Sequence, residues 1–385
     1  MSECAESDIV IVGAGPAGAS AAYQLAGLGY SICLLDRSAF PRAKACGGGL
    51  TKKAIQILPF SVGPVIHRQF ASLSVGNSAG SHVRFEARET VCAMTVRAEF
   101  DDFCLGKALK AGARFQRISA VTEIRVAADC VETVTDGGIL RSRFLIGADG
   151  ANSTVRRLCG LFPEVWKGFA VEACVNVPDP GAYPMLFDFF RVPGGYGWIF
   201  PKRDHLNVGL YSIYPGSKLN KESLLEYITS VTGQRDYCGF ASHHLSFGGG
   251  KYRTRSGRVF LAGDAAGLAD PILGEGIYHA IRSGQLVARA IHEGNNDPQR
   301  TSCCYDSFLG ELRRDAKIST ATAKLFYSAN RLGYFALTLP TTRYFLMKGF
   351  EKCMTMGEII SGTLRLPFMD RRAVRSAVDL SALRR

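Results

Sequence analysis

The 385-residue chain reads as an α/β protein. A Rossmann-type nucleotide-binding domain, discontinuous in sequence, carries an inserted antiparallel β-sheet and is followed by a helical C-terminal region. Three observations predict this. A GxGxxG turn (Gly13, Gly15, Gly18) follows the β-branched run Asp8 to Val12. Gly147-Ala148-Asp149-Gly150 follows a second apolar run mid-chain, and Gly263-Asp264-Ala265-Ala266 follows a third, Val259 to Ala262. Any one of these motifs is common. All three in this order describe a chain that wraps around one FAD.

The elements follow in order. Asp8 to Val12 is a short apolar run that suits a buried parallel strand. After the glycine turn, the Ala-rich stretch from Pro16 to about Leu28 predicts a helix, with Pro16 at a favourable early position. Ser31 to Leu35 is the next strand and ends at Asp36, a carboxylate about 20 residues beyond the glycines, as in a βαβ dinucleotide unit. Phe40 to Gly49 is irregular, and a helix starts near Thr51. Alternation between Phe70 and Arg97, with turn signals at Gly76, Asn77 and Gly80, predicts a hairpin or meander. Ala98 to Ala111 is helical, and Ala113 to Ala148 supplies several strands around an Asp136-Gly137-Gly138 turn. Trp166 to Phe247 is strand-rich with a helix near Lys221 to Val231. A long helix runs from about Gly276 to His292, and the remainder is mostly helical with a basic tail (Arg371, Arg372, Arg375, Arg384, Arg385). Residues 1–70, 96–165 and 255–300 are assigned to the FAD-binding domain. Residues 71–95 and 166–254 form a β-rich substrate domain, and 301–385 the helical region.

Composition narrows the class. The hydrophobic fraction is 47% and the mean hydropathy +0.05, and no apolar stretch reaches the ~18 residues of a membrane span. Glu3, Glu6 and Asp8 stand where a signal peptide needs positive charge, so a cytoplasmic protein is expected, with the inner membrane face as a place it can lie. Twelve scattered cysteines show no CxxC pair and read as reduced core residues. His243 and His244 would point apart on a strand, and no metal site is assigned. A net charge of +12 suits an anionic membrane surface, a phosphorylated substrate or an acidic partner protein. Nothing resembles a nucleic-acid module.

The chemistry lies in the motifs. Gly13, Gly15 and Gly18, with Ala17 in the turn, allow a pyrophosphate to approach the helix N-terminus, and Asp36 can accept from ribose hydroxyls. Arg97 opens a helix and can face the cofactor phosphates or the flavin edge. After Asp149, a loop bearing Ser153, Arg156 and Arg157 can close over the cofactor and present arginine to an anionic nicotinamide donor, NADPH or NADH. Asp264 can hold a ribityl hydroxyl. Pro271, Gly274, Gly276 and Ile277 lead into a helix whose backbone N–H groups would stabilise negative charge on the reduced ring.

Two further segments carry a resemblance. Pro41-Arg-Ala-Lys-Ala-Cys46-Gly47-Gly48-Gly49-Leu50-Thr51 resembles the PxxKxCGGGLT loop of the geranylgeranyl reductase family, within the FAD proteins built like para-hydroxybenzoate hydroxylase. Pro193 to Lys202, followed by Asn207-Val208-Gly209, resembles that family's YxWxFPK and NVG signature. The likeness runs to about Ile277 and fades after about residue 300. It implies FAD held by Gly13, Gly15, Gly18, Asp36, Arg97, Asp264, Gly276 and Ile277, with the Cys46-Gly47-Gly49 loop beside the isoalloxazine. Tyr196, Trp198 and Phe200 would line a substrate cavity suited to an extended apolar ligand. Cys46 can donate a proton, form an adduct or simply pack, and Lys52 and Lys53 on the next helix can lower its pKa.

Three functions are weighed. The first is reduction of isoprenoid C=C bonds by hydride from flavin N5, with Leu325 to Phe350 walling the channel or lying on a membrane. The second is an oxygen-using hydroxylase or halogenase, because Tyr196-Gly-Trp198-Ile-Phe200-Pro201 is also similar to the WxWxIP motif. It would act on a small aromatic or on a protein-bound aromatic side chain. The third is a non-catalytic prenyl-binding protein on the same scaffold.

Overall fold

The computed structural model describes residues 6–77, 80, 82–214, 216–254 and 257–364. The strand Glu6–Val12 sits inside a seven-stranded sheet. Its Ile9, Val10 and Ile11 are fully buried, as a parallel strand covered on both faces requires. Each such side chain stabilises the fold by roughly 1.5–3 kcal/mol. Ile32–Asp36 and then Arg114–Arg117 add parallel strands on one side. On the other side runs Gly138–Gly147, also parallel, with Ile9 opposite Phe144. The early part of that strand pairs antiparallel with Val131–Thr135, which pairs with Val121–Val126; its last residues pair parallel with Val259–Leu261. Val12, Gly147 and Leu261 therefore stand in one row, and each of the three glycine motifs begins at that row.

Close backbone packing requires glycine here. Gly13 has φ +103°, and a Cβ on it would lie 2.3 Å from the Ala148 carbonyl oxygen. A Cβ on Gly18 would lie 1.9 Å from the Gly13 oxygen, so the helix Pro16–Gly27 folds back tightly on its own turn. The helix Ile277–Gly294 crosses it with equal intimacy, since a Cβ on Gly284 would sit 2.2 Å from the Ala17 oxygen.

The second sheet also has seven strands, in the order Cys238–Phe247, Trp166–Val175, Leu206–Ser212, Gly195–Pro201, Leu186–Phe189, Ser72–Asn77 and His82–Glu86. It is antiparallel except where Leu186–Phe189 meets Ser72–Asn77. Period-2 alternation sorts its faces. Ile199, Val208 and Leu210 pack with Leu224 and Ile228 of the helix Lys221–Thr232, while Tyr196, Trp198 and Tyr211 turn the other way. A small third sheet joins Gly49–Thr51, Cys92–Met94 and Arg68–Phe70, and so ties residues on either side of position 70 together.

The C-terminal helices are Pro298–Phe308, Gly310–Ser328, Asn330–Thr338, Pro340–Glu351 and Met356–Leu364. Tyr327, Met347 and Met356 share one hydrophobic cluster with Leu73, Phe189, Tyr196 and Trp198, so these helices close over the aromatic face of the second sheet. Among the described residues no helix is long and apolar enough to cross a membrane. The basic tail expected from Arg371 to Arg385 lies outside the described residues.

Candidate active site

A cavity of about 1760 Å³ runs from the row of strand ends to the C-terminal helices. Sites for one drug-sized ligand span roughly 300–1,000 Å³, so this volume admits a dinucleotide and an extended second molecule. Its lining includes Gly13, Gly15, Ala17, Asp36, Cys46, Gly47, Gly49, Arg97, Asp149, Tyr196, Trp198, Phe200, Asp264, Gly274, Gly276 and Ile277. Of the residues expected to touch FAD directly, Gly18 and Pro271 do not line it. Gly18 is consumed by packing against Gly13, and Pro271 is buried behind the wall, where its carbonyl accepts from the Tyr211 hydroxyl at 2.9 Å.

At the first end two helices open into the cavity. Pro16–Gly27 and Ile277–Gly294 each begin at a glycine, without a side-chain cap and without an acid in the first turn. Such N-termini present N–H donors and positive potential to anions. Asp36 accepts from Ala14 N at 2.8 Å and Ser38 N at 2.9 Å, and a carboxylate has lone pairs to spare for diol hydroxyls. The set fits the phosphates and ribose of FAD.

Asp149 has a second occupation. It accepts from the Ser153 hydroxyl and from the N–H groups of Thr154 and Val155, so it caps the helix Thr154–Leu158 as well as touching the cavity. Arg156 corrects an expectation: it is buried and donates to the carbonyls of Ala151 and Ala265, which makes it a strut between two glycine motifs rather than a contact for a nicotinamide donor. Arg157 is exposed and does line the cavity.

The loop at Cys46 is held from below by the second sheet. Cys46 N donates to Glu172 Oε1 at 2.9 Å, and Lys202 Nζ donates to the Gly47 carbonyl at 2.5 Å. Both side chains are buried. Burial pushes the Glu172 carboxyl up, opposed by the Cys46 N–H and the Lys202 charge. Burial likewise pulls Lys202 down to about 8. Glu172 also takes a hydrogen bond from Asn207, whose oxygen accepts from Trp198 Nε1 at 2.7 Å. The loop and the aromatic wall are thus one connected hydrogen-bonded unit. Packing demands the same register: a Cβ on Gly47 would lie 2.6 Å from the Phe200 ring, and one on Gly209 2.1 Å from the Trp198 ring.

Cations surround the Cys46 sulfur, but not the expected ones. Lys52 pairs with Glu89 and Lys53 with Glu275 at 2.7 Å, so neither serves the thiol. Arg97 does reach Cys46, while chelating Asp101 at 2.7 and 2.8 Å; Arg42 joins the same carboxylate at 3.0 Å. Gly48 N–H points at Cys46 Sγ from 3.4 Å. Lys44 contacts the His243 ring, and burial together with that neighbouring charge holds His243 neutral, at about 3. Lys44 itself is lowered to about 8, chiefly by burial. Burial raises Asp264, and Lys44 and Arg97 oppose it.

A second buried network links the site to the C-terminal helices. Glu275 accepts from Thr51 and Lys53, while His279 pairs with Asp315 at 3.2 Å. Asp315 also accepts from Gly357 N at 2.6 Å. Sequence reasoning gave no site role to Glu172, Lys44, His243 or this network, although Lys44 stood inside the PxxKxCGGGLT loop. Lys202 and Asn207 stood inside a recognised signature; Glu172 gave no local signal, because only strand pairing brings it beneath Cys46.

An FAD binding domain family matches residues 6–177. An uncharacterized protein of Methanosarcina barkeri is 35% identical over 330 residues, covering 83% of this chain and 84% of that one. The menaquinone reductase of Mycobacterium tuberculosis is 30% identical over 76% of this chain and 78% of its own. A digeranylgeranylglycerophospholipid reductase of Methanopyrus kandleri is 29% identical over 83% and 90%. In fold, the geranylgeranyl bacteriochlorophyll reductase-like protein of Thermoplasma acidophilum superposes with TM-score 0.76 at 20% identity, over 97% of this chain and 99% of that chain. A flavin-dependent brominase superposes with TM-score 0.72 at 19% identity, over 94% and 99%. The likeness in fold therefore continues through the helices beyond residue 300, where the sequence motifs had faded. The chain belongs to the geranylgeranyl reductase family of FAD-dependent oxidoreductases.

Proposed function

We propose that the chain reduces carbon–carbon double bonds in the isoprenoid chain of an apolar lipid, drawing electrons from NADPH or NADH. The observation that carries this reading is the continuity of one cavity from the uncapped helix ends, past the Cys46 loop and the aromatic wall, to Phe326, Leu337, Leu346 and Phe350. The names of the reductase relatives support it, the Methanopyrus kandleri enzyme being named for a digeranylgeranyl lipid.

Gly13, Gly15, Asp36 and Gly276 would hold FAD, and when reduced it would supply hydride chemistry to one alkene carbon. The protein must hold the alkene against the ring, keep water out and deliver a proton to the other carbon. Tyr196, Trp198 and Phe200 offer a dry aromatic floor whose shape is fixed by hydrogen bonds at its edges, Tyr196 donating to the Leu273 carbonyl and Trp198 to Asn207. An isolated alkene accepts hydride poorly, so alignment in that floor has to supply much of the rate. Cys46 is the group assigned to hold the proton, with Glu172 and Lys202 fixing the peptide on either side of it.

Stopped-flow absorbance of the anaerobically reduced holoprotein tests this. Reoxidation by a geranylgeranyl lipid, with sluggish reaction toward oxygen, is the expected result. Fast reaction with oxygen and no response to the lipid would discard the reading in favour of oxygen-using chemistry on an aromatic substrate.

A further inference from the structure

The cavity has a second mouth at the C-terminal helices. Leu325 and Leu332 both line it, yet they are 71% and 74% exposed, so they form its rim. Phe335 (63% exposed), Leu339 and Tyr344 continue the apolar surface outward. On the helix Asn330–Thr338 and its exit, Leu332, Phe335 and Leu339 recur at i, i+3 and i+7, which is one face. Isolated exposed apolar residues need no explanation, but a contiguous set around a cavity mouth does.

We propose that the face built by Gly310–Ser328, Asn330–Thr338 and Pro340–Glu351 seats on an anionic lipid bilayer and opens the cavity directly into it. Charge decides the occupant. Lys317, Lys324 and Arg331 are exposed along these helices with no acid between Ala316 and Phe350, while Arg343 donates to the Arg84 carbonyl and Lys348 pairs with Glu351. Apolar residues flanked by cations are what an anionic lipid interface binds. A second copy of this chain docked by a two-fold axis would set the same cations against one another. No described helix spans a bilayer, so the contact is interfacial, with Leu325 and Leu332 at acyl-chain depth and the cations at the headgroups. This rests on the lipid reading above for its purpose, though not for its test.

The test is flotation of the full-length, FAD-loaded protein with vesicles of phosphatidylcholine alone or mixed with phosphatidylglycerol. Flotation with the anionic vesicles, weakening as salt rises, is expected. Phe335→Glu with Leu339→Glu should weaken it by about tenfold or more while flavin content stays at one per chain. Arg331→Glu, at an exposed position, serves if the double variant loses its flavin. Absence of flotation with either vesicle, equal flotation of the variants, or a dimer that Phe335→Glu dissociates would each overturn the proposal. A protein that floats but leaves the lipid unreduced would keep this face and refute the reaction. One that reduces detergent-dispersed lipid and ignores vesicles would do the reverse.

Discussion

Replacing Gly209 with alanine should dislodge Trp198 and disable the aromatic floor. The new methyl would stand 2.1, 2.4 and 2.6 Å from three atoms of the indole, against a comfortable carbon–carbon separation of about 3.5–4.0 Å. The ring must therefore retreat by more than about 1 Å. Trp198 is buried and its Nε1 is tied to Asn207 at 2.7 Å, so retreat breaks that bond. Overpacking costs about 1–3 kcal/mol and an orphaned buried polar group another 1–3 kcal/mol or so. That is a fraction of a typical total stability of about 5–15 kcal/mol, so the fold survives with a lower Tm. Only two tryptophans are present, and the other, Trp166, packs tilted against Phe247 with ring centroids 4.7 Å apart. Tryptophan emission thus reports the displacement, and lipid-driven flavin reoxidation should slow by about tenfold or more. Adding Trp198→Phe should recover most of the lost Tm, because the smaller ring clears the methyl. Unchanged emission and reoxidation in Gly209→Ala would refute the reasoning, since the ring's position would then not depend on the missing side chain.

Other outcomes follow from the same geometry. Cys46→Ala should retain flavin but lose lipid-driven reoxidation by about tenfold or more, within the range general acids contribute; full activity in this variant would remove Cys46 from the reaction. His279 is opposed by burial, but Asp315 prevails and raises its pKa above the ordinary 6.5. A raised value means its stabilisation is complete below pH 6.5 and is lost as pH rises through the folded value. Thermal melts across neutral pH should show that decline, and His279→Gln should flatten it. Lys202 has the opposite sign. Its folded value near 8, against 10.5 unfolded, means that burying its charge costs roughly 3 kcal/mol below pH 8, and that this cost is relieved as pH rises from 8 to 10.5. Lys202→Met should abolish that alkaline gain, and melts that keep it would assign it to another group, with Lys44 the first to examine.

What was legible in the sequence was whatever rests on local backbone geometry. The glycine turn at Gly13 is visible because no other residue tolerates its φ and its contact with Ala148. The strand ends at Val12, Gly147 and Leu261 are visible because apolar runs stop there abruptly. Long-range pairing was not legible. Glu172 meets Cys46 across 126 positions, and His279 meets Asp315 across 36; no local pattern marks either. The same blindness misplaced Lys52, Lys53 and Arg156, whose sequence neighbours suggested a reactive role. In the fold, Glu89, Glu275 and the carbonyls of Ala151 and Ala265 claim them. The C-terminal helices were legible as helices. Leu325 to Phe350 were also read as walling the channel or lying on a membrane, and their packing with Tyr196 and Trp198 shows where that wall stands.

The central claim is that one cavity aligns an alkene with FAD and completes its reduction. Mass spectrometry of a geranylgeranyl lipid, incubated anaerobically with the reduced holoprotein in heavy water, tests it most directly. The account predicts that each reduced double bond gains two hydrogens, both as deuterium, because the N5 hydrogen of a reduced flavin and the proton held at Cys46 would each exchange with the heavy water. A lipid recovered unchanged, or altered only when oxygen is admitted, would contradict it.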